Sequence, residues 1–314
     1  MARLVTLFGG GGFLGRYVAR EIMKTGARVR FAERDPRRAW FLKPQGGLGQ
    51  TQFLAADVRK PETVRRALLG ADAAVNLVGI LKGDFEAFHV GGARHVAEAA
   101  AAEGLGALVH VSALGADPAG RSAYQRSKGA GEAAVRAAFP GATIVRPSVV
   151  FGPEDGFVNM FARLARVPVL PVMRPEARLQ PVWVADVARA VAAAVLNPLT
   201  HGGQSYALGG PETMTMAALN RWIARTIGRD VPVWEVPDPL GELIARGIGW
   251  APGAPITADQ WLTLQSDNIV PPGAPGFAAF GIEPTPLAAV ALAWLVQYRR
   301  HGRFGLNQPV GAEK

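Results

Sequence analysis

The chain contains no cysteine, no long uninterrupted apolar run and no cluster of metal-ligand residues. Without Cys, disulfides, thiolate metal sites, Cys-bound redox clusters and Cys nucleophiles are excluded together. No apolar stretch reaches the roughly 18–20 residues of a bilayer-spanning helix, so no transmembrane segment is expected. Met1-Ala2-Arg3 leads straight into a strand-like segment, which leaves no room for the layout of a signal peptide. The five histidines (His89, His95, His110, His201 and His301) show no ligand spacing, and no metal is expected. His110 reads as a packed imidazole within a strand. A Gly-x-Ser-x-Gly elbow is also missing, which removes Ser/His/Asp hydrolysis.

Against these absences stands an ordinary globular balance. Of 314 residues, 49% are hydrophobic and 19% charged, the reverse of a disordered composition. Length suits one large domain or two small ones. Lys and Arg number 34 against 25 Asp and Glu, a net charge of +9. Such a surplus serves nucleic acid, an anionic membrane surface, an acidic partner or a phosphate-bearing ligand. The arginines are scattered and no nucleic-acid-binding module is present, so nucleic acid is not an expected partner.

Apolar strands alternate with amphipathic helices through the first two-thirds. Leu4–Phe8, Val29–Ala32, Phe53–Ala56, Ala73–Val78, Ala107–Val111 and Thr143–Val145 read as strands. Helices are predicted along Leu14, Val18 and Ile22, from Pro61 to Gly70, around Val96 and over 123–138. The helix over 184–196 and the strand Ser205–Leu208 return to the same sheet. This spacing predicts an α/β fold, a doubly wound parallel sheet of Rossmann type. From about Pro211 prolines cluster and most tryptophans fall, which reads as a smaller, mainly helical C-terminal cap. The predicted division is 1–150 with 182–210 for the nucleotide-binding domain, and 151–181 with 211–314 for the cap.

Gly9-Gly10-Gly11-Gly12-Phe13-Leu14-Gly15 joins the first strand to the first helix, with Gly9, Gly12 and Gly15 at the useful spacing. A dinucleotide pyrophosphate needs bare backbone at a helix N-terminus, where unpaired N–H groups and the dipole favour anions. The last glycine allows close helix–strand packing. The second strand ends in Glu33-Arg34-Asp35-Pro36-Arg37-Arg38. An acid there accepts from the ribose hydroxyls of NAD, whereas arginine pairs with the 2′-phosphate of NADP. Both are present. Three guanidinium groups near one phosphate favour NADP(H), with NAD(H) the alternative. Asp57 is placed for the adenine edge, or equally for a turn. The remaining cofactor positions fall at strand ends: Val58, Leu77, Val78, Gly79 and Val111.

Tyr124 and Lys128 lie four residues apart, on one helix face. A phenol is a poor base at neutral pH, but a neighbouring ammonium favours the phenolate and draws its pKa down. The pair therefore reads as an acid/base device.

The glycine turn, Tyr124 with Lys128, Val145-Arg146-Pro147-Ser148-Val149-Val150-Phe151-Gly152-Pro153 and Val182-Trp183-Val184-Ala185-Asp186-Val187-Ala188 resemble the landmarks of extended short-chain dehydrogenase/reductases. They follow that family's order over about residues 4–210. More narrowly, Phe8-Gly9, Gly12 to Val18, His110-Val111-Ser112 and Phe151-Gly152-Pro153-Glu154-Asp155 resemble the NADPH-binding accessory subunit of respiratory complex I and its bacterial relatives. The resemblance implies that Pro147 and Ser148 line the nicotinamide pocket. It also implies a Ser or Thr hydroxyl at the end of the fifth strand. Here that position is Ala113, with Ser112 one residue early, and a one-residue slip in a strand reverses a side chain. Losing such a donor costs about two to three orders of magnitude in rate. Two functions follow. In the first, the chain is an accessory subunit of a bacterial NADH:quinone oxidoreductase. It holds NADP(H) with little turnover, peripheral on the cytoplasmic side of the inner membrane. Its partners are then complex I core subunits, with anionic lipid or quinone at the membrane surface. In the second, it is a free-standing NAD(P)(H)-dependent oxidoreductase or epimerase on a nucleotide-sugar, quinone-precursor or isoprenoid-like substrate, with Tyr124, Lys128 and Ser112 catalytic.

Asp186 opens its helix as a cap or a buried partner. At the C-terminus, Leu287 to Tyr298 is apolar on nearly all faces and gives way to Arg299, Arg300 and Arg303. Trp294 and Tyr298 beside arginines match a membrane-interface composition. The same residues equally suit a helix packed on its own domain with a basic end.

Overall fold

The computed structural model describes residues 3–247, 249, 256–300 and 302. Within them the chain divides into two compact units. The first is drawn from Met1–Pro147, Val184–Leu208 and Val270–Glu283, the second from Ser148–Trp183, Gly209–Ile269 and Pro284–Lys314.

The first unit is built on seven strands: β1 (Leu4–Phe8), β2 (Arg28–Glu33), β3 (Thr51–Ala55), β4 (Ala73–Asn76), β5 (Ala107–Val111), β6 (Thr143–Pro147) and β7 (Ser205–Leu208). They lie in the order β3-β2-β1-β4-β5-β6-β7, and every neighbouring pair is parallel. The order reverses between β1 and β4, the switch point of a doubly wound sheet. Its helices are α1 (Phe13–Lys24), α2 (Pro61–Leu68), α3 (Gly92–Ala102), α4 (Ala123–Ala138) and α5 (Val184–Leu196). α1 packs on α5, while α3 packs on α2 and α4. A parallel sheet covered on both faces needs strands apolar along their whole length, and β1, β4 and β5 are buried at every residue. Phe8, Ala74, Leu108 and Ile144 join the core formed with Val64 of α2, Val96 of α3 and Val135 of α4.

Local signals set the ends of these elements. Ser122 and Gln125 form a reciprocal capping box that starts α4. Strand β4 stops at Asn76, two residues before the predicted end. The Asn76 side-chain carbonyl accepts the Val78 N–H at 3.1 Å and turns the chain there. Residues 270–283, assigned to the cap by sequence, belong to this first unit. The Ala207 N–H donates to the Pro275 carbonyl at 2.8 Å, and the Phe280 ring lies 4.5 Å from those of His201 and Tyr206.

The second unit has its own core, including Phe151, Leu170, Leu219, Ile223, Leu287, Trp294 and Leu295. Besides helices such as Met216–Thr226 and Asp238–Gly247, its described residues form three two-stranded pairs. The apolar C-terminal stretch is not one helix. It forms short turns over Leu287–Val290, Leu292–Leu295 and Val296–Tyr298 that fold onto this core. Trp294 is buried and stacks on Trp183, with ring centroids 5.5 Å apart. The Tyr298 hydroxyl donates to Asn159 at 2.9 Å, and Arg299 donates to the carbonyl of Thr226, the last residue of its helix. Trp294 is thus packed through its ring, its indole N–H meeting no acceptor among the described residues, while Tyr298 and Arg299 bond within the unit. The reading of these residues as packed on their own domain describes them better than the membrane-interface one. Arg300 is exposed, and Arg303 lies outside the described residues, as does His301. No described helix is long and apolar enough to cross a membrane.

Candidate functional site

The glycine turn closes on itself. Gly9 takes φ +79°, and its carbonyl accepts the Gly12 N–H at 3.1 Å. A Cβ on Gly15 would stand 2.5 Å from the Gly9 carbonyl oxygen and 2.6 Å from the Gly10 Cα, so the helix–turn contact has room only for hydrogen. Helix α1 begins without a side-chain cap and without an acid in its first turn. Its first N–H groups, those of Phe13 and Leu14 among them, have no intrahelical acceptors. A dinucleotide's pyrophosphate fits this cradle: no side chain intrudes and the helix presents its positive end.

Beside the turn lies a pocket of about 510 Å³ lined by Gly11, Gly12, Glu33, Arg34, Asp35, Arg38 and Ala39. The Gly11 N–H donates to Glu33 Oε1 at 2.6 Å, and burial raises the Glu33 pKa against the pull of that bond and of Arg34. Of the three arginines expected near one phosphate, two line this pocket. Arg37 instead turns onto Asp35 at 3.0 Å, because Asp35 caps the following turn and holds the nearest guanidinium. Arg34 and Arg59 both lie over the Phe88 ring, at 5.6 and 4.8 Å from its centroid. Asp57 is used by its turn: its carboxylate accepts the Arg59 N–H and is gripped by the Arg59 guanidinium, which holds its pKa low. Val58 is buried, and its carbonyl meets His95 Nδ1 at 2.8 Å.

Across the turn, Leu77 and Val78 lie against Gly9, whose added Cβ would meet their backbone at 3.3–3.4 Å; nothing crowds Gly79. The next residue leads to a side chain that sequence reasoning passed over. The Ile80 N–H donates to His89 Nε2 at 3.0 Å, and His89 Nδ1 lies 2.9 Å from Ser127 Oγ. Nε2 accepts, so the neutral ring carries its proton on Nδ1 and donates to Ser127, whose hydroxyl donates to the Tyr124 carbonyl at 2.9 Å. Burial, with the nearby Lys128 charge, lowers the His89 pKa to about 4. His89 stands on a π-helical turn, Glu86–Gly91, and its ring meets the Tyr124 ring edge-on at 5.6 Å. It thus ties the segment beside the glycine turn to α4. No sequence pattern links positions 38 residues apart; the one available signal was a histidine just ahead of the Ala-rich helix.

On α4, Lys128 is buried, and its Nζ donates to the Val111 carbonyl at 2.9 Å. Burial lowers its pKa to about 8. Burial likewise pushes the half-buried Tyr124 phenol up to about 12. At neutral pH both therefore act as donors, and the phenol becomes a base only where an added cation lowers its pKa. Beyond Val111 the strand ladder continues, with the Ser112 N–H on the Val145 carbonyl and the Leu114 N–H on that of Pro147. Ser112 Oγ is buried and meets no hydrogen-bond partner among the described residues. A buried hydroxyl without a partner costs roughly 1–3 kcal/mol, which a bound polar group would relieve. Pro147 ends β6 in the first unit. Ser148 belongs to the second, where its hydroxyl donates to Asn268 Oδ1 at 2.6 Å. Arg146 is held by the buried Glu132 of α4 through two bonds, at 2.8 and 2.5 Å. Asp186 is buried and pairs with Arg189 at 2.7 Å. Among the described residues no group of His, Asp and Glu is arranged to hold a metal.

The sequence profile of the NAD dependent epimerase/dehydratase family matches residues 5–209. The mitochondrial NADH dehydrogenase (ubiquinone) 1 alpha subcomplex subunit 9 of Mus musculus is 32% identical over 306 residues, spanning 95% of this chain and 81% of its own. Ceramide reductase of Caulobacter vibrioides is 32% identical over 273 residues, spanning 85% of this chain and 81% of its own. Among solved structures, an NADPH-dependent quinone oxidoreductase of Escherichia coli complexed with NADPH shares the fold. Its TM-score is 0.76 at 20% identity, covering 93% of this chain and 99% of that one.

Proposed function

Since the chain belongs to the NAD-dependent epimerase/dehydratase family and is homologous to the alpha subcomplex subunit 9 of complex I, we propose that it holds NADP(H) as an accessory subunit of a bacterial respiratory NADH:quinone oxidoreductase. It turns over little or no substrate and sits peripherally on the cytoplasmic face of the inner membrane. The observation that carries the binding part is the uncapped α1 N-terminus over a cradle closed to any Cβ at Gly15. Phe13 and Leu14 would meet the pyrophosphate. Gly11 and Glu33 would meet the adenosine ribose, and Arg34 and Arg38 the 2′-phosphate that distinguishes NADP(H). Leu77, Val78 and Gly79 would flank the nucleotide beside the turn, and Tyr124 and Lys128 would hold the nicotinamide ribose. A holding role suits the site's resting chemistry, in which the ammonium donates to a backbone carbonyl and the phenol stays protonated.

A second reading, turnover, is favoured by the buried, unpartnered Ser112 hydroxyl and by the ceramide reductase relative. A nicotinamide supplies or accepts hydride at its ring C4. Ser112 would then polarise a substrate carbonyl, Tyr124 would move the proton, and Lys128 would lower the phenol's pKa. Affinity purification from detergent-solubilised membranes, with NADPH consumption assayed on quinones, ketolipids and nucleotide-sugars, separates the two. Copurification with complex I subunits and no consumption supports the accessory role. Steady consumption lost in Tyr124→Phe, from a protein bound to no complex I component, replaces it with the reductase.

A further inference from the structure

Two large aromatics stand exposed side by side in the first unit. Trp40 is 48% and Phe41 49% accessible, on the tight turn Pro36–Gln45. That turn is built to present them. Asp35 caps it, and the fully buried Ala39 and Leu42 pin it to the unit. With about three residues per turn, positions 39 and 42 share the inner face and 40 and 41 point away. Each aromatic ring carries a cation. Lys43 Nζ lies 4.3 Å from the Trp40 ring centroid, and the Arg16 guanidinium lies 4.8 Å from that of Phe41. Arg20, one turn further along α1, is exposed beside Tyr17, at 5.2 Å from its ring centroid. Of the turn's own cations, Arg37 is paired with the capping Asp35 and Arg38 lines the pocket. Lys43 therefore joins Arg16 and Arg20, the last 3.4 Å from Glu21, as the cations beside the rings, and the fully exposed Leu48 follows the turn.

We propose that this turn and the adjoining face of α1 form a docking surface for an anionic lipid bilayer. Tryptophan and phenylalanine next to lysine and arginine is the composition that partitions into a headgroup layer, rings towards the acyl boundary and cations on phosphate. A convex pair of rings needs no shaped pocket, only a medium that takes aromatic surface and cations together. The local positive excess matches the negative surface potential of such a leaflet, worth about a fivefold gain in partitioning per cation close to it. Part of the surplus charge thereby acquires a site, one that the buried Trp294 segment does not supply. This surface binds lipid whether or not the glycine turn holds a dinucleotide.

Co-sedimentation of the full chain with vesicles tests it, using zwitterionic phospholipid alone and the same lipid mixed with an anionic phospholipid. The expected result is binding to the anionic vesicles only, weakened by salt. Lys43→Gln weakens it about fivefold, and Trp40→Ser with Phe41→Ser weakens it at least about tenfold. Unchanged thermal melts show that the variants remain folded, and Lys43→Gln stands alone if the double variant does not. Absence of binding to anionic vesicles overturns the proposal, as does binding equal in wild type and variants. If the double variant instead releases the chain from a solubilised protein complex while vesicles never bind, the surface contacts protein and the lipid assignment fails.

Discussion

Lys128 is expensive to keep where it is. Among the described residues its buried ammonium has one acceptor, the Val111 carbonyl, and burial draws its pKa from 10.5 to about 8. Depression of a cation's pKa on folding means that the folded state resists the charge, a cost of about 3 kcal/mol fully present below pH 8. Between about pH 8 and 10.5 the unfolded chain binds more protons than the folded one, so stability from this group recovers as pH rises. Lys128→Met, which keeps the volume and forfeits one hydrogen bond, is expected to stabilise the protein by about 1–2 kcal/mol at pH 7. That gain shrinks towards pH 10, and NADPH affinity falls. Urea denaturation at the two pH values, with fluorescence titration of NADPH, measures both. At this scale the sequence showed the glycines, Tyr124, Lys128 and the pocket arginines, because each sits in a short local pattern. It did not show that Arg37 would turn to Asp35, that Asp57 would be taken by Arg59, or that His89 would join Ile80 to Ser127. Those are pairings between side chains competing in space.

Elements with one strong local determinant were legible at their ends. Strand β5, helix α4, helix α5 and strand β7 fall where apolar periodicity and caps place them. The π-helical turn before α3 and the early end of β4 were not, since one depends on a histidine's distant partners and the other on the Asn76 side chain. The C-terminal stretch shows how composition alone misleads. An apolar segment with tryptophan, tyrosine and arginine suits a bilayer interface and a domain core equally, and the contacts of Trp294 with Trp183 and Phe151 decide for the core. Trp294→Ala is expected to destabilise the protein by about 3–5 kcal/mol in chemical denaturation. An interface anchor facing water would cost close to nothing, and that outcome would restore the membrane reading of this segment.

For the whole molecule, the doubly wound sheet follows from strands alternating with helices, because parallel pairing needs a crossover and each crossover helix must cover a face. The +9 charge is divided by place: Arg34 and Arg38 at the pocket, Arg16, Arg20 and Lys43 around the exposed aromatics, Arg299 on a helix end. A ligand that binds only the folded state stabilises it by about 2.7 kcal/mol at a hundredfold excess over its Kd. NADPH is therefore expected to raise the unfolding temperature more than NADH at equal concentration. Arg38→Ala should narrow that difference, as thermal-shift titration would record; equal shifts with both nucleotides would remove the NADP(H) preference. By itself the sequence determined the order of strands and helices, the bare glycine turn and the spacing of Tyr124 and Lys128, because periodicity, steric freedom and helix geometry act over a few residues. Only the tertiary structure decided which cations face the pocket and which aromatics remain exposed. It also decided that Ser112 keeps a buried hydroxyl with no partner among the described residues, because burial and hydrogen-bond competition are set among residues far apart in the chain.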